Sequence, residues 1–182
     1  MLFINNNMNI IYIQNSNDFY FQEAWNIYEE SFPKEEKRTL QEQIKLLEKD
    51  TYTMAGHIEN NTLVSILFYW RIDSYTYLEH FAINSKLRGQ NYGSKILKQF
   101  ILKNENIILE IEPIIDEMTQ KRLSFYEKFN FVVNQHIHFQ VPFRENSEDL
   151  ELLLLTQNSV LSKDEYLCFY KKLQNELSSN NQ

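Results

Sequence analysis

The sequence predicts a single mixed α/β domain, and three observations carry that expectation. Apolar residues alternate with polar ones in some stretches and recur every three or four positions in others. The changes of period fall at capping and turn residues. No repeat or linker divides the 182 residues, and 43% apolar with 14% aromatic content is enough for one sizeable core and too much for a disordered chain.

The elements follow in order. Residues 1–7 read as a frayed extension before a first strand, "NIIYIQ" (9–14). Phe21, Trp25 and Tyr28 have helical spacing within 17–31, with Ser16 or Asn17 as cap and Pro33 as breaker. Thr39 and Glu42 form a T-x-x-E capping box that opens a second helix to about Lys49. "TYTMAGHI" and "LVSILFYW" flank Glu59-Asn60-Asn61, a hairpin signal, and "YTYLEHFAI" (75–83) is a third β-rich run. Ile96, Phe100 and Ile101 mark a helix of about a dozen residues, and "NIILEIEP" (106–113) is a short buried strand. Asp116 caps the next helix, whose apolar residues are Met118, Phe125, Tyr126 and Phe129, and Asn130 suits a left-handed end. "HIHFQVPF" and "LELLLLT" read as two more strands. Ser162 and Glu165 then open a C-terminal helix over 162–177 with Phe169, Tyr170, Leu173 and Leu177 on its apolar side, before a disordered tail at 178–182.

Composition excludes some functions. Eighteen basic against twenty-five acidic residues give a formal charge of −7, the wrong sign for neutralising nucleic-acid phosphates. An acidic chain can draw in a cationic substrate such as an amine. One cysteine, Cys168, rules out an internal disulfide framework, fits a reducing cytoplasm and reads as a small buried hydrophobe. The start "MLFINNNMNI" lacks a secretory pattern, and no run approaches the roughly 18 apolar residues of a membrane span. The expectation is a cytoplasmic protein without membrane association. His136 and His138 share a strand face but lack a third ligand for a metal, so they read as a polar face, one that could line an acceptor pocket.

The chemistry concentrates in "LRGQNYGSKIL" (87–97), which holds two of only three glycines. A strand that turns tightly into a helix presents free backbone N–H groups with the helix dipole behind them, which is an anion site. Gly89 and Gly93 let backbone approach a phosphate, and Arg88 and Lys95 add positive charge. The Walker A spacing fails, and so does the dinucleotide G-x-G-x-x-G. Glu110, some 20 residues on, matches the second pattern's acidic residue by coincidence.

A third pattern fits. "AINSKLRGQNYGSKIL" resembles the pyrophosphate loop of the GNAT superfamily of N-acetyltransferases, Arg/Gln-x-x-Gly-x-Gly/Ala, with Asn91 standing where the family has glycine. "KRLSFYEKFNF" (121–131) is similar to the family's later helix and strand, with Asn130 again replacing glycine, and "ESFPKEEKR" is reminiscent of many members. The resemblance covers about residues 8–155. It implies a central, mostly antiparallel mixed sheet flanked by helices, acetyl-CoA as co-substrate, no metal, and direct acetyl transfer to a primary amine of a small molecule or protein. Pairing of protomers into a homodimer is common in the family.

The resemblance also assigns residues. Arg88, Gly89, Gln90, Asn91, Tyr92, Gly93 and Ser94 hold the pyrophosphate, while the backbone of Phe81 and Ile83 meets the pantetheine and acetyl carbonyl. Tyr126 protonates or hydrogen-bonds the leaving sulfur, or else merely packs beside Phe125. Tyr77, Glu79, Phe81 and Ile83 share one strand face. Glu79 is the first choice for deprotonating the ammonium, against a surface carboxylate or an anchor for substrate charge. His80 points to the opposite face and reads as packing. A non-catalytic acyl-CoA-binding module of the same fold is the alternative, and a longer acyl donor is another. The acceptor wall would come from 19–38 and 134–148.

Overall fold

Residues 8–143 and 149–178 are described by the computed structural model of the chain. The expectations for residues 1–7 and 179–182, and part of the proposed acceptor wall at 144–148, lie outside the described residues. The strands are β1 (Asn9–Ile13), β2 (Tyr52–Glu59), β3 (Thr62–Ile72), β4 (Tyr75–Ile83), β5 (Ile107–Ile111), β6 (Phe131–Val133), β7 (His138–Phe139) and β8 (Glu151–Gln157). The helices are α1 (Phe21–Ser31), α2 (Leu40–Leu46), α3 (Tyr92–Lys103), α4 (Glu117–Glu127) and α5 (Lys163–Ser178), with 3₁₀ turns at Lys34–Glu36 and Ser85–Leu87. The fold is mixed α/β, built on an eight-stranded sheet.

The chain forms two compact units that share the long strands β3 and β4. The first holds residues up to Tyr69 and His80–Phe100, and the second holds Trp70–Glu79 and the chain from Ile101 on.

In the first unit the strand order is β1-β2-β3-β4. β1 lies antiparallel to β2, from Asn9 opposite Ile58 to Ile13 opposite Met54. Asn60 (φ 51°) and Asn61 (φ 60°) make the β2–β3 turn, since a two-residue hairpin loop of this hand needs positive φ at both positions. The core is aromatic: Tyr28 meets Trp25, Phe32, Phe68 and the His80 ring, with centroids 4.8–5.7 Å away. In the second unit β4 pairs parallel with β5, and β5 antiparallel with β8, which also takes β6 and β7. Leu152, Leu154 and Leu155 of β8 are buried, as are Phe169, Leu173 and Leu177 of α5.

Several boundaries differ from the sequence expectation for local reasons. α1 starts at Phe21, because Asp18 accepts from the backbone of Gln14 (2.6 Å) and Asn15 (3.3 Å) and Asn15 accepts from Asn17 (2.9 Å). Those polar side chains close a loop and leave none to cap the helix. The Thr39–Glu42 box forms, yet α2 stops at Leu46. β6 was absent from the expected order. β7 shrinks to two residues because side chains replace its ladder upstream: Asn134 donates Nδ2 to Thr156 Oγ1 (2.8 Å) and accepts from Leu161 N (2.7 Å). Met118 is 69% exposed, and Cys168 lies on the exposed side of α5 instead of its core face. Among the described residues no helix is long and apolar enough to cross a membrane.

Gly56 of β2 is selected by crowding. A Cβ there would sit 2.7 Å from Leu63 Cδ1 and 3.1 Å from Ser65 O. Gly56→Ala is expected to cost about 1–3 kcal/mol through overpacking, read as a lower urea midpoint at unchanged slope.

Candidate functional site

In the first unit the exit from β4 is fastened to β3. Asn84 donates its N–H to Val64 O (2.9 Å) and its Nδ2 to Leu63 O (3.1 Å), while its Oδ1 accepts from Lys86 N (3.2 Å). Arg88 donates Nε to Ile83 O and Nη2 to Ser31 Oγ, both at 3.2 Å, so its side chain braces the loop. Gly89 has φ 78°, and an added Cβ would meet nothing within 4 Å. Conformation, not space, selects glycine there. Asn91 has φ 63°, the left-handed state expected of a glycine substitute, since Asn tolerates it best among ordinary residues.

α3 then begins at Tyr92, and its backbone ladder starts with Lys95 N donating to Asn91 O (3.3 Å). The N–H groups of Tyr92, Gly93 and Ser94 precede that bond and have no acceptor within the helix. They form the positive end of a three-turn helix, next to exposed Gln90 and Asn91. Tyr92 donates its hydroxyl to Glu59 of β2, which raises its pKa, and Lys95 Nζ lies 5.6 Å from its ring centroid. Glu59 was not singled out from the sequence, where it reads only as a turn residue.

β4 alternates as expected. Glu79, Phe81 and Ile83 are half-buried, and His80 and Ala82 are buried on the other face. His80 donates Nε2–H to Glu36 O (2.9 Å) and packs edge-on to Tyr28 and Phe32, so it is a packed histidine. Tyr77 departs from the pattern: it is fully buried and donates its hydroxyl to Glu110 Oε2 (2.7 Å). The parallel ladder runs from Thr76 opposite Ile107 to Leu78 opposite Leu109 and stops before either strand does. Glu79 and Glu110 are therefore the first residues past its end.

In the second unit α4 is opened by Asp116, whose Oδ1 accepts from Thr119 N (2.8 Å). Asn130, at φ 63°, turns the chain into β6. Tyr126 sits between Phe125 (5.2 Å) and Phe131 (5.6 Å). Burial pushes its phenol up to about 12, against the pull of Arg122 and with a smaller push from Glu112. Arg122 and Glu112 are themselves paired. At neutral pH the Tyr126 phenol therefore keeps its proton.

Glu110 and the histidines correct the sequence reading. His138 is not part of an open polar face: its side chain is 0% exposed, and its Nε2 lies 2.6 Å from Glu110 Oε1 on a carboxylate only 8% exposed. His138 Nδ1 lies 3.1 Å from the Tyr166 hydroxyl, which also reaches Ile137 O at 3.2 Å. His136 stacks on Tyr166 (4.3 Å) and bonds Leu161 O (3.0 Å). Glu110, dismissed as a coincidence of spacing, is the centre of this network. The signal was a carboxylate inside the apolar run "IILEI", where a charge must find partners. Among the described residues no group of three or more His, Cys, Asp or Glu side chains could hold a metal ion.

Comparison with known proteins bears on the family and the fold. Residues 16–140 match the family model described as an acetyltransferase (GNAT) domain. YjbC of Bacillus subtilis (strain 168), a candidate acetyltransferase, is 34% identical over 77 residues, covering 41% of this chain and 40% of YjbC. This chain therefore matches less than half the length of that curated relative. A GNAT-family candidate acetyltransferase from Bacteroides thetaiotaomicron shares the fold at a TM-score of 0.82 and 24% identity, over 94% of this chain and 96% of that one. A GNAT acetyltransferase from Elizabethkingia anophelis, solved with acetyl-CoA bound, matches at 0.56 and 15% identity, over 84% and 98%.

The buried phenol sets an alkaline limit. An unfolded tyrosine ionises near pH 10, whereas Tyr126 holds its proton to about 12. Stability from this group is present below pH 10 and is lost as pH rises toward 12. Between pH 9.5 and 12 the wild type should lose roughly 2–3 kcal/mol more than Tyr126→Phe, measured by denaturant unfolding.

Proposed function

Because the chain belongs to the GNAT acetyltransferase family, we propose that it transfers an acetyl group from acetyl-CoA to a primary amine of a small molecule or protein. Transfer is direct, with no acyl-enzyme. The observation that carries this reading is the left-handed Gly89–Asn91 turn into α3, with the first-turn N–H groups left over. Those donors suit a pyrophosphate, whose charge the helix dipole favours. Bound acetyl-CoA supplies the activated acyl carbon and a thiol leaving group.

The residues divide the work as follows. Arg88–Ser94 hold the pyrophosphate, with Arg88 keeping the loop in shape. Backbone groups of Phe81 and Ile83 meet the pantetheine, and an N–H aimed at the thioester oxygen stabilises the charge that develops there. A carboxylate past the end of the β4–β5 ladder takes a proton from the ammonium, and Glu79 is the one that the family pattern offers. The amine nitrogen bonds to the acyl carbon and the C–S bond breaks. Tyr126 donates its proton to the departing sulfur and is reprotonated from solvent. The amine loses two protons, the thiol gains one, and one is released.

Calorimetry with acetyl-CoA, using ATP and NAD as controls, tests the loop. Selective binding with a Kd on the order of micromolar is expected. Asn91→Gly should keep it, and Asn91→Ala should weaken it about tenfold by forcing a Cβ residue into positive φ. Tyr126→Phe should bind acetyl-CoA normally yet release thiol about 100-fold more slowly across a panel of primary amines. Binding without thiol release by the wild type would favour a non-catalytic acyl-CoA-binding module.

A further inference from the structure

The stretch from Asn84 to Ser94 is tied at both ends to the β2–β3 hairpin. Its start is held by Asn84, whose N–H and Nδ2 reach the carbonyls of Val64 and Leu63 on β3. Its far end is held by Tyr92, which donates its hydroxyl to the Glu59 carboxylate at the end of β2. Between the two ties the tip of the loop stands in the open. A Cβ added at Gly89 would meet no atom within 4 Å, and Gln90 and Asn91 are exposed. The hairpin itself is stiff. Glu59 directly precedes Asn60 and Asn61, which turn the chain at φ 51° and 60°, and a Cβ at Gly56 would sit only 2.7 Å from Leu63 Cδ1. A carboxylate at the root of a two-residue turn has little freedom, so its partner takes its position from it.

The choice of partner matters. A carboxylate beside the positive end of α3 could accept from the free N–H groups and so fill the anion site. Glu59 instead accepts from the Tyr92 phenol, a rigid spacer that keeps its charge off the backbone donors. The bond to Glu59 raises the Tyr92 phenol, so the hydroxyl remains a donor at neutral pH. Lys95, one turn further along α3, is the other charged group that faces this ring, with Nζ 5.6 Å from its centroid. Tyr92 also occupies a position that the Arg/Gln-x-x-Gly-x-Gly/Ala pattern leaves open. The tie therefore belongs to this chain and not to the pattern.

We propose that Glu59 is a positioning residue of the acyl-CoA site: through the Tyr92 hydroxyl it fixes the first turn of α3, and with it the direction of the N–H groups that receive the pyrophosphate. The proposal rests on the acetyltransferase reading above. Glu59 acts through Tyr92 and is not itself a ligand-binding group. Its charge opposes an incoming anion, so its contribution is placement and not attraction. The two effects separate by substitution. Glutamine at position 59 keeps an acceptor oxygen and removes the charge, whereas alanine removes both.

The test compares Glu59→Gln and Glu59→Ala, each with Tyr92 intact and with Tyr92→Phe, by calorimetry with acetyl-CoA and with inorganic pyrophosphate. The two substitutions at 59 carry the same charge, so a difference between them reads the hydrogen bond. Glu59→Gln should bind acetyl-CoA as tightly as the wild type, or up to about threefold more tightly at low salt, a gain that added salt removes. Glu59→Ala should bind about fivefold more weakly than Glu59→Gln. With Tyr92→Phe the two should bind alike, because no hydroxyl remains to be held. Equal affinities with Tyr92 intact, or a difference that persists with Tyr92→Phe, overturns the proposal. Amide exchange gives a second reading that needs no ligand. The Lys95 N–H, bonded to Asn91 O (3.3 Å), closes the first turn of α3. It should exchange about fivefold faster in Glu59→Ala than in Glu59→Gln, and at equal rates in the two double variants. Equal exchange in Glu59→Ala and Glu59→Gln sinks the proposal whatever the affinities. A wild type that binds neither ligand would instead sink the acetyltransferase reading and leave the exchange rates to decide whether Glu59 places the turn.

Discussion

The parallel ladder between β4 and β5 ends after Leu78 and Leu109, and much of the proposed chemistry depends on where it stops. Up to that point the two strands are committed to each other through backbone bonds. Past it, each contributes a carboxylate, Glu79 and Glu110, at corresponding positions. Two like charges at neighbouring positions repel, so their environments have to differ. Glu110 is drawn into the interior by Tyr77 and His138, whereas Glu79 keeps partial exposure on the face it shares with Phe81 and Ile83. The same strand carries on to Ile83, whose carbonyl accepts from Arg88 and so fixes the start of the loop that opens α3.

A second constraint is backbone handedness in a chain with only three glycines. Left-handed conformations are needed wherever a turn reverses direction tightly, and glycine is the usual solution. Here asparagine replaces it. Asn60, Asn61, Asn91, Asn106, Asn130 and Asn158 all adopt positive φ, with Asp73 the remaining non-glycine case among the described residues. Asn106 shows how a residue can offset the strain, since its Nδ2 donates to Ser74 O (3.1 Å). Asn91 and Asn130 thus adopt positive φ at positions where the resembled family pattern has glycine.

Polar burial in the second unit follows a consistent logic. Tyr126 is buried in an aromatic setting, which keeps its phenol protonated to high pH. Glu110 and His138 are buried together, so that neither has to exist as an isolated charge. Tyr166 and Tyr170 of α5 bond the carbonyls of Ile137 and Phe139, so the C-terminal helix pins the segment that presents His138. α5 thereby acts on the ladder end through hydrogen bonds as well as through the packing of Phe169 and Leu173.

Signals that act within a few residues were legible in the sequence. The Thr39, Asp116 and Ser162 caps, the Asn60-Asn61 turn, the period of two along 75–83 and the left-handed Asn91 and Asn130 each depend on neighbours within about four positions. The turn that opens α3 was readable for the same reason: Gly89 and Asn91 set its left-handed backbone themselves. What failed was set by distance along the chain. Asp18 closes a loop with Gln14 and Asn15 in place of capping α1, a choice between two local options that sequence leaves balanced. The exposure of Cys168 and Met118 depends on which helix face meets the sheet. Glu110 meets Tyr77 across 33 residues and His138 across 28, and no periodicity reports a contact at that range. The sequence by itself determined most of the elements and their turns, the left-handed turn into α3 included, because backbone conformation is a local property. Only the tertiary structure decided which carboxylate is buried and what it is paired with, because charge burial depends on partners that folding alone brings together.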